Sequence, residues 1–188
     1  MRNLAGKVAL FSWISACAFA QEKPAASPEL VTPPTFKQVF LYQFDQTEKK
    51  LLDLAEAIPE SKYSWRPAES VRSISETFVH EAAANPYFLS FLGVKPPAGI
   101  TGKSETTIKD KAGVIAIMKK SFALSRESVA ALTEDDMMKA TKFMGGGMQT
   151  YQSVLFFMSD HMHEHLGQLI AYARSNGVTP PWSKGKDN

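Results

Sequence analysis

The chain has 188 residues, of which 44% are hydrophobic and 21% charged, with a formal net charge of +2. This is the composition of a soluble globular protein, and the length suits one ordinary domain with a real core. The near-neutral balance gives no electrostatic footprint for nucleic acid, and one cysteine, Cys17, excludes a disulfide within the chain.

The first twenty residues read as a secretory signal peptide. Arg2 and Lys7 supply a positive start, Val8 to Ala20 is apolar apart from Ser12 and Ser15, and Ala18-Phe19-Ala20 is an A-x-A cleavage site before Gln21. The apolar run is too short for a membrane span. Ile14-Ser15-Ala16-Cys17 also looks like a bacterial lipobox, in which the cysteine is lipidated and becomes the new N-terminus. Two maturation routes are therefore open, cleavage after Ala20 or a lipid anchor at Cys17. Both place the mature protein outside the cytoplasm, periplasmic or secreted. Of the 21 basic residues, Arg2 and Lys7 leave with residues 1–20, so 19 remain against 19 acidic ones and the mature net charge is zero. A form cut after Ala20 has no cysteine, so a thiol nucleophile and thiolate metal ligands are excluded. Any metal must then be held by imidazole and carboxylate.

Residues 21–31, with Pro24, Ala25, Ala26, Ser27 and Pro28, form a flexible linker. The domain proper is expected over residues 32–183, with a disordered tail over 184–188. The first helix is expected to begin near Thr32 with Pro33 and Pro34 in its first turn. Phe36, Val39, Phe40, Phe44, Leu51 and Leu54 recur at helical spacing, and Pro59 ends it. Tyr63 and Trp65 anchor the connection that follows.

Ser73-Ile74-Ser75-Glu76 is a capping box and starts a second helix. This helix carries Phe78, Val79, His80, Ala82, Ala83, Phe88 and Leu92, and Gly93 with Pro96-Pro97 closes it. Ser104 is expected to cap a third helix whose apolar positions are Ile108, Val114, Ile115, Met118, Phe122 and Val129. Thr133 to Gly147 reads as a loop, and Gly145-Gly146-Gly147 lacks the lysine and hydroxyl of a phosphate loop, so it is flexible chain or a lid. A fourth helix is expected from about Gln149 to Ser175, stopping at Asn176-Gly177. No strand is expected. The fold class is all-α, and four helices of this length argue a four-helix bundle.

Three of the four histidines fall in Ser159-Asp160-His161-Met162-His163-Glu164-His165-Leu166-Gly167-Gln168. On a helix His161 and His165 lie ~40° apart, and His163 lies ~160° from their midpoint. The pair shares a stripe with Met158 and Gln168, flanked by Leu155, Met162 and Leu169. One reading makes these ordinary polar positions on a partly exposed helix. The other notes that two buried imidazoles without partners are costly, and that a metal with acceptors for the remaining ring nitrogens relieves the cost. A third imidazole from another helix would complete such a site. His80, alone on its amphipathic helix, is either a satisfied histidine or that third ligand.

Three acids are candidates to support the site, each with a competing role. Glu164 is a rim acid or part of a solvated face, Glu76 orients His80 or serves the capping box, and Asp160 is a similar candidate to orient a ligand. Met158 and Met162 suggest copper at first sight, but core packing explains them better.

Tyr63-x-Trp65-Arg66-Pro67, Val71-Arg72-Ser73 and Val79-His80-Glu81-Ala82 with Asn85 and Phe88 are similar to the first half of DinB-like proteins, the DinB/YfiT superfamily. Asp160-His161-x-x-x-His165-x-Gly167-Gln168-Leu169, then Tyr172-x-Arg174-x-Asn176-Gly177-Val178-x-Pro180-Pro181, resembles that family's C-terminal signature. The resemblance covers residues 35–183. It implies a bundle with up-down-down-up connectivity and a divalent metal held by His80, His161 and His165. Three imidazoles suit Zn, Ni, Co, Mn or Fe. It also implies either metal-dependent hydrolysis of an unknown small-molecule substrate or thiol-dependent transfer. The second fits an exported chain poorly, because low-molecular-weight thiols are mainly cytosolic. A non-enzymatic metal- or ligand-binding bundle is the further alternative. No catalytic base is assigned, nucleic acid is not an expected partner, and a homodimer is compatible with the sequence.

Overall fold

A computed structural model describes residues 32–185. The expected signal peptide, the linker over 21–31 and the end of the expected tail, residues 186–188, lie outside the described residues.

The first helix, α1, is Phe36–Ala57. It begins later than the prolines suggested, because Thr35 and Gln38 form a capping box of their own. The Gln38 amide donates to Thr35 Oγ1 at 3.3 Å and the Thr35 amide donates to Gln38 Oε1 at 2.9 Å, satisfying two orphan donors reciprocally. Pro33 and Pro34 therefore precede the helix. Phe40, Phe44, Leu51 and Leu54 face inward as expected, but Val39 is exposed. The connection to the next helix is pinned by buried Tyr63, whose hydroxyl donates to the Ala55 carbonyl at 2.7 Å.

Helix α2 is Ile74–Ser90, started by the Ser73/Glu76 capping box that the sequence predicts. It continues through Pro86, which has no amide to give to the preceding turn. The expected third helix is two pieces. A single turn, α3, covers Ser104–Thr107, and the long helix α4 covers Lys111–Ala131. Asp110 separates them, because its carboxylate accepts from the Gly113 amide at 2.8 Å and caps a new start.

The segment read as a loop also holds structure. A 3-10 turn covers Asp135–Met138, and strands β1 (Ala140–Lys142) and β2 (Met148–Thr150) pair antiparallel with Thr141 opposite Gln149. Two three-residue strands are too short for a period-two pattern to show in sequence. Thr141 Oγ1 donates to the Phe91 carbonyl at 2.7 Å and ties this hairpin to the end of α2. Helix α5 is Tyr151–Ser175, capped by Thr150 and closed at Asn176 with Gly177 at φ 73°.

The four long helices pack as a bundle in which α1 contacts α4 and α5, and α2 contacts α4 and α5. Helices consecutive in the chain, α1 with α2 and α4 with α5, are thus diagonal. Directions follow from the ends. Lys37 Nζ donates to the Leu132 carbonyl and Lys111 Nζ to the Glu56 carbonyl, so α1 and α4 are antiparallel. The Ile74 amide donates to the Trp65 carbonyl, and Trp65 meets Tyr172 edge-on with ring centroids 5.3 Å apart. The start of α2 and the end of α5 therefore sit at the same end of the bundle as the end of α1. The connectivity is up-down-down-up. Because α2 and α4 run the same way, residues 91–110 must return along the bundle.

The core between the helices contains Phe44 edge-on to Phe122 with centroids 5.8 Å apart. Leu51, Leu54, Phe78, Met118, Leu155, Met158 and Met162 are enclosed with it, so the two methionines beside the histidines are packing residues. Among the described residues no helix is long and apolar enough to cross a membrane.

Glu76 links three elements at the top of α2. Its carboxylate takes Lys109 Nζ at 2.7 Å, Arg66 at 2.9 Å and the Ser73 amide at 2.8 Å. Burial alone would raise its pKa, but the Lys109 ammonium and the Ser73 donors outweigh burial and pull it down to about 2. A carboxyl depressed below its unfolded value stabilises the fold above the unfolded pKa, and that stability is lost as pH falls from about 4.5 through about 2. Glu76→Gln should therefore lower stability near pH 7 and flatten the loss on acidification. Urea titrations at pH 7, 4 and 2.5 check this, and equal destabilisation at all three would count against it.

Candidate metal centre

Helix α5 carries His161 and His165 on one inward stripe, and α2 brings His80 against them. The Nε2 atoms of His80 and His161 are 3.2 Å apart, as are those of His161 and His165. All three imidazoles offer a nitrogen to one small region. His163 points elsewhere, with Nδ1 at 2.7 Å from the Ser159 carbonyl and Nε2 at 3.2 Å from Thr47 Oγ1 on α1. The helical phase read from sequence separates these histidines correctly.

The opposite nitrogen of each ring meets an oxygen. His80 Nδ1 is 2.8 Å from Glu105 Oε1, and His165 Nδ1 is 2.8 Å from Gln168 Oε1. His161 Nδ1 is 3.0 Å from Glu81 Oε2, a close approach that is poorly aligned as a hydrogen bond. A ring whose Nδ1–H faces an acceptor leaves Nε2 as a bare lone pair. With His161 in the same tautomer, three such lone pairs would face one another and repel unless a cation lay between them. The spacing suits one, since ligands at about 2.1 Å from an ion and about 90–110° apart lie about 3.0–3.4 Å from each other. The donor set therefore fits a divalent metal.

Two of the three acceptors are themselves held. Glu105 Oε2 takes Arg72 Nε at 2.9 Å. Burial would raise the Glu105 pKa, but Arg72 and His80 hold it below the usual carboxylate value. Gln168 Nε2 donates to Tyr172 Oη at 2.8 Å, which directs the amide oxygen at His165. The His80 pKa is lowered, chiefly by burial, with Arg72 adding to the effect and Glu105 opposing it.

Glu81 is fully buried, and neither of its oxygens has an aligned donor. Asn85, one turn on, is equally buried, with no hydrogen-bond partner for its side-chain amide.

Two of the candidate acids do not support the site. Glu76 does not reach His80, because the capping box, Arg66 and Lys109 occupy its carboxylate. Asp160 is exposed, and Glu81 faces His161 in its place. Glu105 was readable only as an early acid of a helix. Nothing local shows that the returning chain delivers it to His80.

A cavity of about 500 Å³ opens beside the histidines. His80 and His161 form part of its wall, with Ala83, Tyr87 and Phe88 of α2, Ile100 and Glu105 of the returning segment, and Phe157 of α5. Met144, at the tip of the β1–β2 hairpin, completes the rim, so the glycine-rich tip does border the site. Glu164 stands on another side, in a polar recess with Arg72, His165 and Gln168.

Similarity to known proteins agrees with this architecture. The fold matches a DinB-like protein from Bacillus cereus ATCC 10987 with a TM-score of 0.66 and 21% identity, over 78% of this chain and 93% of that one. It matches the DinB-like protein YjoA from Bacillus subtilis with a TM-score of 0.60 and 21% identity, over 75% and 94%. YfiT from Bacillus subtilis, described as a probable metal-dependent hydrolase with an unusual four-helix bundle topology, matches with a TM-score of 0.60 and 15% identity, over 82% and 95%. These likenesses show the fold. No curated protein sequence matches. The sequence profile of the DinB superfamily matches residues 43–169, well over half of the chain, and the protein belongs to the DinB superfamily.

Proposed function

We propose that this protein is an exported metal-dependent hydrolase whose divalent ion is held by His80, His161 and His165. The observation that carries this reading is the convergence of three histidine Nε2 atoms beside a largely apolar cavity. The likeness to YfiT supports it, and export rests on the character of residues 1–20. When bound, a divalent ion polarises a substrate oxygen and makes water a better nucleophile near neutral pH.

The chain's own residues then have distinct tasks. Glu105 and Gln168 hold His80 and His165 by their Nδ1 atoms and so keep Nε2 available. Glu81 places negative charge behind His161. Three imidazoles would hold such an ion without neutralising it, which would leave it able to polarise a substrate oxygen. Among the described residues Glu105 is the one carboxylate in the cavity wall. With one oxygen on His80 and the other on Arg72, it orients a ligand rather than collecting a proton.

Elemental analysis of protein from its native host should find one divalent ion per chain. Hydrolysis in an ester and amide panel should be lost on chelation and restored by one particular ion among Zn, Ni, Co, Mn and Fe. Full activity in metal-free protein would overturn the mechanism. No turnover with any metal would favour the non-enzymatic binding bundle.

A further inference from the structure

The cavity wall carries chemical information beyond its volume. Among the described residues its titratable side chains are His80, His161, Glu105 and Tyr87, with no lysine or arginine. Arg72 is held by Glu105 and lies in the separate polar recess. Away from the histidines, a phosphoryl or carboxylate group inside the cavity would meet no cationic side chain of the described residues and would face the Glu105 carboxylate. Apart from Tyr87 and Thr101 the rest of the wall is mostly apolar. Ala83, Ala84 and Phe88 come from α2, Ile100 from the returning segment and Phe157 from α5. Small residues on α2 leave the space, and aromatic ones bound it. Phe88 lies edge-on to both His161 and Phe157, with centroids 5.3 and 5.8 Å away, so the apolar wall runs directly up to the histidines. A volume of about 500 Å³ is in the range of small-molecule sites, which combine apolar walls with a few polar groups.

We infer that the substrate is an uncharged carboxylic ester or amide whose apolar acyl chain fills this cavity, with its carbonyl at the histidines. This rests on the hydrolytic reading and names its substrate class. In the reaction, the oxygen of water bonds to the carbonyl carbon and the carbon–oxygen or carbon–nitrogen bond to the leaving group breaks. One proton of water passes to the leaving group, and the products are a carboxylic acid and an alcohol or amine. No oxidant or further co-reactant is required.

The test begins with binding to the metal-free full chain, followed by NMR shift titration with butanamide, hexanamide and octanamide. Burying each methylene should tighten binding about fourfold, equivalent to about 0.8 kcal/mol. Hexanoate, equal in length but charged, should bind at least tenfold more weakly than hexanamide. Ala83→Phe should erase the chain-length dependence by filling the cavity. Thr101→Trp, at an exposed position of the same wall, should do likewise if the first variant folds poorly. Affinity independent of chain length, or hexanoate binding as tightly as hexanamide, would overturn the inference. Turnover of 4-nitrophenyl acetate and hexanoate by loaded enzyme separates the two readings. Hydrolysis of both esters at the same kcat/KM would leave the hydrolase standing and sink the acyl pocket. Chain-dependent amide binding without turnover of either ester would leave the pocket standing and sink the hydrolase.

Discussion

His161→Ala should abolish stoichiometric divalent-metal binding, while His163→Ala should leave it unchanged. His161 is the central ring of the three, since its Nε2 is 3.2 Å from those of both His80 and His165. Without it two imidazoles remain, from different helices, with no third donor to close the set. Loss of a group that merely orients a ligand typically costs 10- to 100-fold in metal affinity, so loss of this ligand should cost more than about 100-fold. His163 lies two residues away on the opposite side of α5, against Thr47 and the Ser159 carbonyl. Both variants should keep the helical circular dichroism of the parent, because the core around Phe44, Phe122 and Leu155 does not involve the site. Metal content by mass spectrometry after dialysis is the measurement. If His163→Ala lost the ion and His161→Ala kept it, the ligand assignment would be wrong.

Glu81→Met should move metal affinity and metal-free stability in opposite directions. The carboxylate is fully enclosed on α2, and its nearest polar neighbour, His161 Nδ1, is 3.0 Å away and poorly aligned. In metal-free protein this is a buried polar group with little compensation, which costs stability. Methionine has similar length and no such penalty. A buried polar group without an aligned hydrogen bond costs roughly 1–3 kcal/mol, which the methionine removes. The metal-free melting temperature should therefore rise, by roughly 2–4 °C per kcal/mol for a domain of this size. In the loaded protein the carboxylate makes His161 a stronger ligand and balances part of the ion's charge. Its loss should weaken metal binding about 10- to 100-fold. Calorimetry with and without metal reads both effects. A lower metal-free melting temperature with unaltered metal affinity would make Glu81 a packing residue only.

The parts of this site that sequence shows are those set by one helix. The 3.6-residue period of α5 separates His161 and His165 from His163, and the Ser73/Glu76 box starts α2 where His80 falls on its inward face. The boundaries missed share a cause, a cap stronger than the apolar pattern around it. Thr35 with Gln38 delays α1, and Asp110 divides α3 from α4 although Ile108 and Val114 read as one periodic run. The groups that face the three histidines escaped the sequence for a different reason. Glu76 and Asp160 are close to histidines in sequence, whereas Glu105 reaches His80 only because parallel α2 and α4 force the chain back along the bundle. Contacts made by a crossing chain have no local period to reveal them.

That returning chain sets how the protein can diversify. The 17 residues of α2 span about 26 Å, a distance about eight extended residues can cross. Residues 91–110 are more than twice that many, and the surplus builds a wall of the cavity around Ile100 and Thr101. The three histidines stand on rigid helices, while this part of the pocket is written on a connector with slack in its length. Insertions and substitutions there can reshape what the cavity accepts at little risk to the bundle. A lineage built on this scaffold can reshape its cavity by editing the crossover around Ile100 and Thr101, provided that Glu105, further along the same crossover, stays against His80.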